Sequence, residues 1–357
     1  MKLHRLLALR RPSLVLAAFA CIALAVPAQQ SDRMPLVITS TNDATSNSVV
    51  VFGLGAGQTP LLSWVETLRT GGQGGAAGNA GIVQFRDDWG AVANYGSNTV
   101  TRLVRSRNSI ALGGTIRLAA DCVKPDSVAL TSTHLFVVGA TCAESYAWPW
   151  GSPDGSVVTL SDTSAAQIAA GRTWAAVTMT SGSLLQLPLN GEGGALSGTA
   201  NPITLPDDAN NTPLGEAFWG NTLGFTPAHS PDSFAIVEDN GTVDPIAGPA
   251  PSYPSNAPCW VAKGPKSIWY TGNSPGQAIS IFFSDNQGGV FYKSVPLPGP
   301  PTDLAVSPDQ KWLAVIYTAG GQAYVRVFSI DDHGDLTLAA TSPSIGVAAF
   351  NGVALSE

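Results

Sequence analysis

The chain has 357 residues, of which 44% are hydrophobic and 12% are charged, and its formal net charge is −7. This apolar content argues against intrinsic disorder. The acidic balance, without a cluster of Lys and Arg, argues against a nucleic-acid partner, whose phosphates need cations. Glycine (38) and proline (26) are frequent, which favours many short strands joined by tight turns.

The first 28 residues have the pattern of a secretory signal peptide. Basic residues including Lys2 and Arg5 precede an apolar run from Ser13 to Val26, and Ala28 follows at a plausible cleavage position. We therefore expect residues 1–28 to be removed and the protein to be secreted or periplasmic. The apolar run is short for a membrane span, although an uncleaved anchor is the alternative, and no later segment is apolar enough to cross a membrane.

An internal repeat dominates the remaining chain. Two similar stretches begin at Pro258 and Pro301, a separation close to the roughly 40–45 residues of a four-stranded propeller blade. Each has an apolar strand, a turn, a second β-rich strand, a glycine loop and a third strand. The first of these strands, the innermost of a blade, recurs at seven places: Ile82-Val83, Val128-Ala129, Gln167-Ile168, Ala217-Phe218, Val261-Ala262, Leu304-Ala305 and Val353-Ala354.

The repeat predicts an all-β fold, a seven-bladed β-propeller of four-stranded antiparallel blades over residues 34–357. The segment from Met34 lacks an innermost strand, whereas the last copy, around Val353, has nothing after it. We expect Val353-Ala354 to pair with the strand at Leu36 to Thr39. This pairing would close the ring and remove open sheet edges.

Several segments resemble a known family, the seven-bladed lactonase-like propellers, which include 6-phosphogluconolactonase and the 3-carboxymuconate lactonizing enzyme (carboxymuconate cyclase). They are TNDATSNSVVVF, GAVANYGSNTVTRL, KPDSVALTSTHLFVVG, AAQIAAGRTWAAVT, CWVAKGPKSIWYTGN and PTDLAVSPDQKWLAV. The resemblance implies acid–base opening or closing of a lactone ring at the central funnel. It places Glu238 at the end of a second strand, where the family often has a Glu. Met179 and Thr180 stand where many relatives carry Glu and Lys, and the family's His and Arg have no clear match.

Propeller topology sorts the polar residues between two faces. The start face carries the beginnings of the innermost strands and the loops between second and third strands, and the end face lies opposite. Ligands usually occupy the start face, so we expect a small-molecule ligand at the channel mouth there. The predicted catalytic residues are Glu238, Glu216 and Asp303, and the predicted substrate-binding residues are Asn94, Tyr95, Trp260, Asn273 and Asp126.

The carboxylates allow more than one interpretation. In a partly apolar funnel, two carboxyl groups with separated pKa values can act as acid and base. They can also bind Ca²⁺ together with Asn carbonyl oxygens, or simply accept hydrogen bonds in turns. No other cofactor is expected. His134, His229 and His333 all fall on the predicted end face, which argues against a histidine triad or a zinc site.

Three cysteines follow the predicted signal peptide, namely Cys122, Cys142 and Cys259. Cys122 and Cys142 flank one blade, so a disulfide between them is the simplest pairing, and Cys259 would be a buried free thiol. Two functions remain open: a lactone hydrolase or cycloisomerase acting on a small carboxylated substrate, and a non-catalytic propeller that binds a ligand or a protein. We expect a monomer in either case.

Overall fold

Strands are the main secondary structure of the computed structural model, which describes residues 33–57, 60–207, 209–229, 234–238, 241–246, 257–285, 288–347 and 350–357. The strands are β1 (Leu36–Ser40), β2 (Ser48–Leu54), β3 (Leu62–Arg69), β4 (Val83–Arg86), β5 (Trp89–Asn94), β6 (Thr99–Ser106), β7 (Ser109–Arg117), β8 (Ser127–Leu130), β9 (His134–Val138), β10 (Cys142–Ala147), β11 (Ser152–Pro153), β12 (Val158–Thr159), β13 (Ala165–Ala170), β14 (Trp174–Met179), β15 (Ser183–Pro188), β16 (Asn201–Ile203), β17 (Pro213–Trp219), β18 (Thr222–Pro227), β19 (Phe234–Val237), β20 (Val243–Ile246), β21 (Pro258–Lys263), β22 (Ile268–Asn273), β23 (Ala278–Asp285), β24 (Gly288–Pro296), β25 (Pro301–Val306), β26 (Trp312–Ala319), β27 (Gln322–Ile330), β28 (Leu336–Thr341) and β29 (Asn351–Ser356). A single 3₁₀ turn, Tyr95–Ser97, is the one helix among these described residues.

These strands form seven antiparallel sheets, which are the blades of a propeller. Blade one consists of β29, β1, β2 and β3 in that order, and blade two of β4 to β7. Blade three consists of β8 to β12, and its outermost strand is split into the short pieces β11 and β12. Blades four to seven consist of β13–β16, β17–β20, β21–β24 and β25–β28. The predicted fold class is therefore confirmed, with an innermost strand at each of the seven predicted places.

The two ends of the propeller unit meet in blade one. Strand β29 pairs antiparallel with β1, so that Ala354 lies opposite Ile38 and Val353 opposite Thr39. Strand β29 also contacts the innermost strands on both of its sides, β25 and β4. The predicted closure is thus confirmed, and the ring has no open edge at the channel.

The core lies between the blades, where the faces of adjacent sheets pack together. Second strands such as β1, β14 and β22 are buried along their whole length, whereas the outer strand β3 is exposed or partly exposed over most of its length. Between blades one and seven, for example, Val37 and Phe52 pack with Ile316 and Val325. Because both faces of most blades are covered, the inner strands are apolar without strict alternation.

The fifth blade departs from the predicted strand assignment. The resemblance placed Glu238 at the end of this blade's second strand, but the strand before Glu238, Phe234–Val237, is the third, since it pairs with both β18 and β20. The true second strand, β18, follows β17 through a two-residue turn, with Trp219 opposite Thr222. Its Gly and Pro residues made it look like a loop in the sequence. His229, which follows β18, therefore lies on the start face and not on the end face.

The cysteines and the termini complete this description. Cys122 and Cys142 are joined by a disulfide with their Cα atoms 5.4 Å apart, which ties the approach to β8 to the start of β10. Cys259 carries a free thiol. The predicted signal peptide lies outside the described residues. No helix in the described part of the chain has the length and apolar character that a membrane crossing requires.

Gly352 offers a direct test of the closing strand. Its φ is +81°, and an added Cβ would lie 3.0 Å from the backbone nitrogen of Val83 in blade two. Gly191 also has φ +81°, but nothing lies within 4 Å of its Cβ position. The left-handed backbone strain of about 1–2 kcal/mol is thus common to both positions, whereas crowding adds about 1–3 kcal/mol only at Gly352. Urea unfolding should show Gly352→Ala losing clearly more free energy of unfolding than Gly191→Ala. Equal losses would contradict the tight packing of β29 against blade two.

Candidate functional site: a blind central channel

β-Bulges shape the start-face end of the channel. The register between the innermost strand and its neighbour shifts near the start of the innermost strand in blades one, four, five, six and seven. The unpaired residues at these shifts are Gly352, Ala166, Leu214 with Gly215, Cys259 and Thr302. A bulge bends its strand and redirects side chains. Several of these residues therefore leave the sheets and come together near the axis.

Some of the redirected residues take part in an apolar plug across the channel. Ala80, Ala166, Leu214 and Ala228 are buried together, with Cys259 and Trp260 packed against them. Ala80 comes from the connection between blades one and two, and its amide donates to the Ala166 carbonyl in blade four (3.2 Å). The connection therefore crosses the mouth of the channel.

Asn79 ties this crossing segment to three other blades. Its side-chain amide donates to the Asp126 carbonyl, and its own carbonyl accepts a hydrogen bond from Trp260 Nε1 (3.1 Å). Its Oδ1 accepts a hydrogen bond from Asn351 Nδ2 (2.8 Å). These bonds link blades one, three and six through one residue. The start face, where we expected the ligand to enter, is closed.

Below the plug lies a cavity of about 230 Å³ on the axis. The polar side chains among its lining residues are Gln84, Gln167, Glu216, Lys263 and Asp303. It shares no lining residue with a pocket of about 410 Å³ outside the plug on the start face. It does share Gln84, Phe218 and Lys263, among others, with a groove of about 540 Å³ on the end face. The channel is therefore blind, and its entrance is on the end face.

Two of the predicted acids, Glu216 and Asp303, line this cavity. Glu216 is 1% exposed, and neither of its carboxylate oxygens has a hydrogen-bond partner among the described residues. Burial raises the pKa of Glu216 well above its ordinary value, and nearby backbone amides offset only part of that rise. Burial likewise raises the pKa of Asp303 to about 7, although it accepts a hydrogen bond from the Leu304 amide (2.8 Å). Both acids are thus largely protonated under mildly acidic conditions.

The third predicted acid, Glu238, lies elsewhere. It follows β19 in the turn between the third and fourth strands of blade five, which puts it on the end face. Its Oε2 accepts a long hydrogen bond from Thr222 Oγ1 (3.5 Å), and it does not line the cavity or the groove. The placement of Glu238 at a second-strand end was therefore wrong, because the second strand of that blade was misassigned.

The predicted asparagines are occupied by structural hydrogen bonds. Asn94 is fully buried, and its Oδ1 accepts from Thr70 Oγ1 (2.7 Å) and Asn47 Nδ2 (3.0 Å). Its Nδ2 donates to Thr101 Oγ1 (2.9 Å). Asn273 is also fully buried and donates to Ser280 Oγ (2.7 Å). Both side chains hold the loop between a second and a third strand.

The remaining predicted residues lie around the plug or away from it. Trp260 closes the channel and lines the start-face pocket. Asp126 is 8% exposed, one of its carboxylate oxygens has no partner, and burial raises its pKa to about 7. Tyr95 lies in the 3₁₀ turn with the Lys124 ammonium 5.8 Å from its ring centre. None of these side chains lines the central cavity.

The carboxylates do not assemble a calcium site. Among the described residues, the only group of three or more candidate metal ligands close together is Cys122, Cys142 and Glu144. The two cysteines are joined in a disulfide and offer no thiolate. Glu144 accepts hydrogen bonds from the Ala119 amide and the Tyr146 hydroxyl. Glu216, Glu238 and Asp303 belong to no such group, so the geometry lends the Ca²⁺ alternative no support.

Lys263 is the functional candidate that the sequence interpretation missed. It ends the innermost strand of blade six, so its side chain lies at the junction of cavity and groove. Burial lowers the pKa of its amine to about 8. The available signal was a lysine at the end of an innermost strand, but we had set that end of the strands aside as the unused face.

The fold and the channel define a class, a seven-bladed propeller of the lactonase-like fold with one closed mouth. No family model matches the sequence, and no curated protein matches it either. A solved structure of a functionally unknown protein from Desulfotomaculum acetoxidans DSM 771 has a TM-score of 0.68 at 13% identity, over 91% of this chain and 99% of that one. A proposed 6-phosphogluconolactonase from Bacteroides fragilis NCTC 9343 has a TM-score of 0.63 at 12% identity, over 93% and 100%. A protein from Lactobacillus plantarum has a TM-score of 0.65 at 11% identity, over 91% and 100%. Similarity at such low identity extends to the fold and no further.

The buried acids predict how stability depends on pH. The folded-state pKa values of Glu216, Asp303 and Asp126 lie above their unfolded values near 4, so the folded state binds more protons between the two values. The free energy of unfolding should therefore fall as pH rises from about 4 to about 7, by about 1.4 kcal/mol per pH unit for each group between its two pKa values.

Glu216→Gln should make this slope shallower, because the amide cannot ionise. Urea unfolding across the pH range measures the slope. The matched control is Glu192→Gln, at a side chain that is 67% exposed, and it should leave the slope unchanged. A wild-type slope in Glu216→Gln would show that Glu216 is not held neutral in the folded state.

Proposed function

We propose that this protein is a ligand-binding propeller that takes up a small organic molecule in the blind central channel, through the end face. The observation that carries the proposal is a cavity of about 230 Å³ with polar side chains at its walls and an entrance on the end face. A concave, pre-formed site with a few polar groups on an apolar wall is the usual form of a small-molecule site. The disulfide supports export to an oxidising compartment.

Binding fits the arrangement better than catalysis does. General acid–base catalysis needs a titratable group within hydrogen-bond reach of the proton that is transferred. Glu238 lies outside the cavity, and Glu216 is 1% exposed. Asn94 and Asn273 are fully buried, make internal hydrogen bonds and do not line the cavity. Of the predicted catalytic residues, only Glu216 and Asp303 therefore line the same cavity.

A channel-blocking variant tests the site. Ala305 lines both the cavity and the groove, so Ala305→Leu should narrow the entrance. Ala44→Leu is the control, because Ala44 lines the start-face pocket outside the plug. Thermal unfolding with a small-molecule library should reveal ligands that stabilise the wild type, by about 2.7 kcal/mol at a hundredfold excess over Kd.

Ala305→Leu should lose these ligand-induced shifts, and Ala44→Leu should keep them. If Ala44→Leu alone removes them, the ligand binds on the start face. If no compound stabilises the wild type, the channel is not a small-molecule site.

Asp303 supports a second candidate function, the hydrolysis of a lactone. It is the cavity acid whose pKa, about 7, suits a general base at neutral pH. In this reaction water adds to the lactone carbonyl while Asp303 accepts the water proton. The ring C–O bond then breaks, the alkoxide takes the proton from Asp303, and a hydroxy acid is released.

Titration of released acid from a panel of lactones measures this activity. Asp303→Asn should reduce the rate at least about 100-fold, since general acid–base groups contribute about 10²–10⁴. Asp332→Asn, in an exposed turn, is the control and should leave it unchanged. A wild type that leaves every lactone intact would eliminate this candidate without touching the binding proposal.

A further inference from the structure

Lys263 is a half-buried cation without an anionic partner. Lysine is rarely buried unless it is paired with a carboxylate. No carboxylate of the described residues lies within 4.0 Å of its Nζ. Its hydrogen-bond partners among the described residues are neutral: Nζ donates to the Gly264 carbonyl (2.7 Å) and to the Lys266 carbonyl.

The Lys263 ammonium is also held in place by two indole rings. Nζ lies 4.8 Å from the ring centre of Trp219 and 5.2 Å from that of Trp269. Cation–π contacts and carbonyl acceptors stabilise the charged form without neutralising it. An ammonium group has three donors, and the two carbonyls use two of them. One N–H remains for a ligand.

The position of Lys263 makes this donor useful. It lies where the cavity and the end-face groove adjoin, and it is the only basic residue that lines the cavity. The other ionisable residues that line the cavity or groove are Arg86, Asp87, Glu216 and Asp303. Burial raises the pKa of the two cavity acids, Glu216 and Asp303, and so favours their neutral forms. Lys263 is therefore the main charge inside the cavity.

The walls beside Lys263 are apolar. Phe218 and Leu130 line both the cavity and the groove, and Trp219 lines the groove with 54% of its surface exposed. An exposed tryptophan at the rim of a concave site offers a flat apolar contact for a ligand. A ligand that fits these neighbours has one anionic end and a small apolar body.

We propose that the channel ligand is a small monocarboxylate with an apolar body and that Lys263 binds its carboxylate at the junction of cavity and groove. The inference rests on the proposed binding function and specifies the ligand class. The carboxylate accepts the free N–H of Lys263, and the apolar body lies against Phe218 and Trp219.

Calorimetry with matched pairs tests this assignment. Benzoate and benzamide differ in charge and little in shape, as do hexanoate and hexanamide. At about pH 6, where the Lys263 amine is protonated, each carboxylate should bind wild type at least about tenfold more tightly than its amide, since a hydrogen bond between two charged groups is stronger than one to a neutral amide. Binding of the carboxylates should weaken at high salt, whereas that of the amides should not.

Lys263→Met should remove the preference for the carboxylate and leave amide binding unchanged. Lys311→Met is the matched control, because Lys311 lies on the same face but lines neither cavity nor groove, and it should behave as wild type. If Lys263→Met does not fold, the inference is tested by the wild type alone, through its preference for carboxylates over amides and the salt dependence of that preference. Equal binding of acids and amides would overturn the inference while the binding function stands. Failure of these probes together with the whole library would overturn both.

Discussion

The whole structure depends on the pairing of β29 with β1. A single four-stranded blade has two apolar faces and cannot cover both, so each blade is stable only between two neighbours. The backbone hydrogen bonds between Ala354 and Ile38 and their neighbours supply the last of these interfaces, because they complete blade one. Without that blade, the faces of blades two and seven would be exposed, and no closed channel would exist.

Closure of the ring creates a channel, and the bulges make it blind. Because the innermost strands of five blades carry an extra residue near their start, small apolar side chains such as Ala166 and Leu214 turn toward the axis. The connection that carries Asn79 and Ala80 then crosses the mouth and is hydrogen-bonded to it. The connection that ties the blades together on the start face therefore also closes the channel on that face. Two proteins with the same fold can thus differ in where a ligand is able to enter.

Burial sets the electrostatics of the remaining space. The low charge content of the chain leaves few groups in the channel, and desolvation drives each toward its neutral form. The Glu216 carboxylate has no hydrogen-bond partner among the described residues and only nearby backbone amides to favour its charge, and Asp303 is held only by backbone amides. Lys263 is different because carbonyl oxygens and indole rings stabilise its ammonium group. A channel with neutral acids and one supported cation favours anions over cations, which is the basis of the proposed ligand class.

The amino-acid sequence by itself determined the number of blades, the innermost strand of each and the closing partner of Val353, because these follow from a repeat of apolar strands and turns. The sequence did not predict features in which the local pattern of residues differs from the structure that forms. The second strand of blade five contains Gly224 and Pro227 and so reads as a loop, which carried Glu238 to the wrong face. Only the tertiary structure decided which mouth is open, because a bulge and a crossing loop turn particular side chains inward by contacts between distant segments. Lys263 faces the channel for the same reason: its indole and carbonyl contacts come from blades five and six, which no local sequence pattern connects.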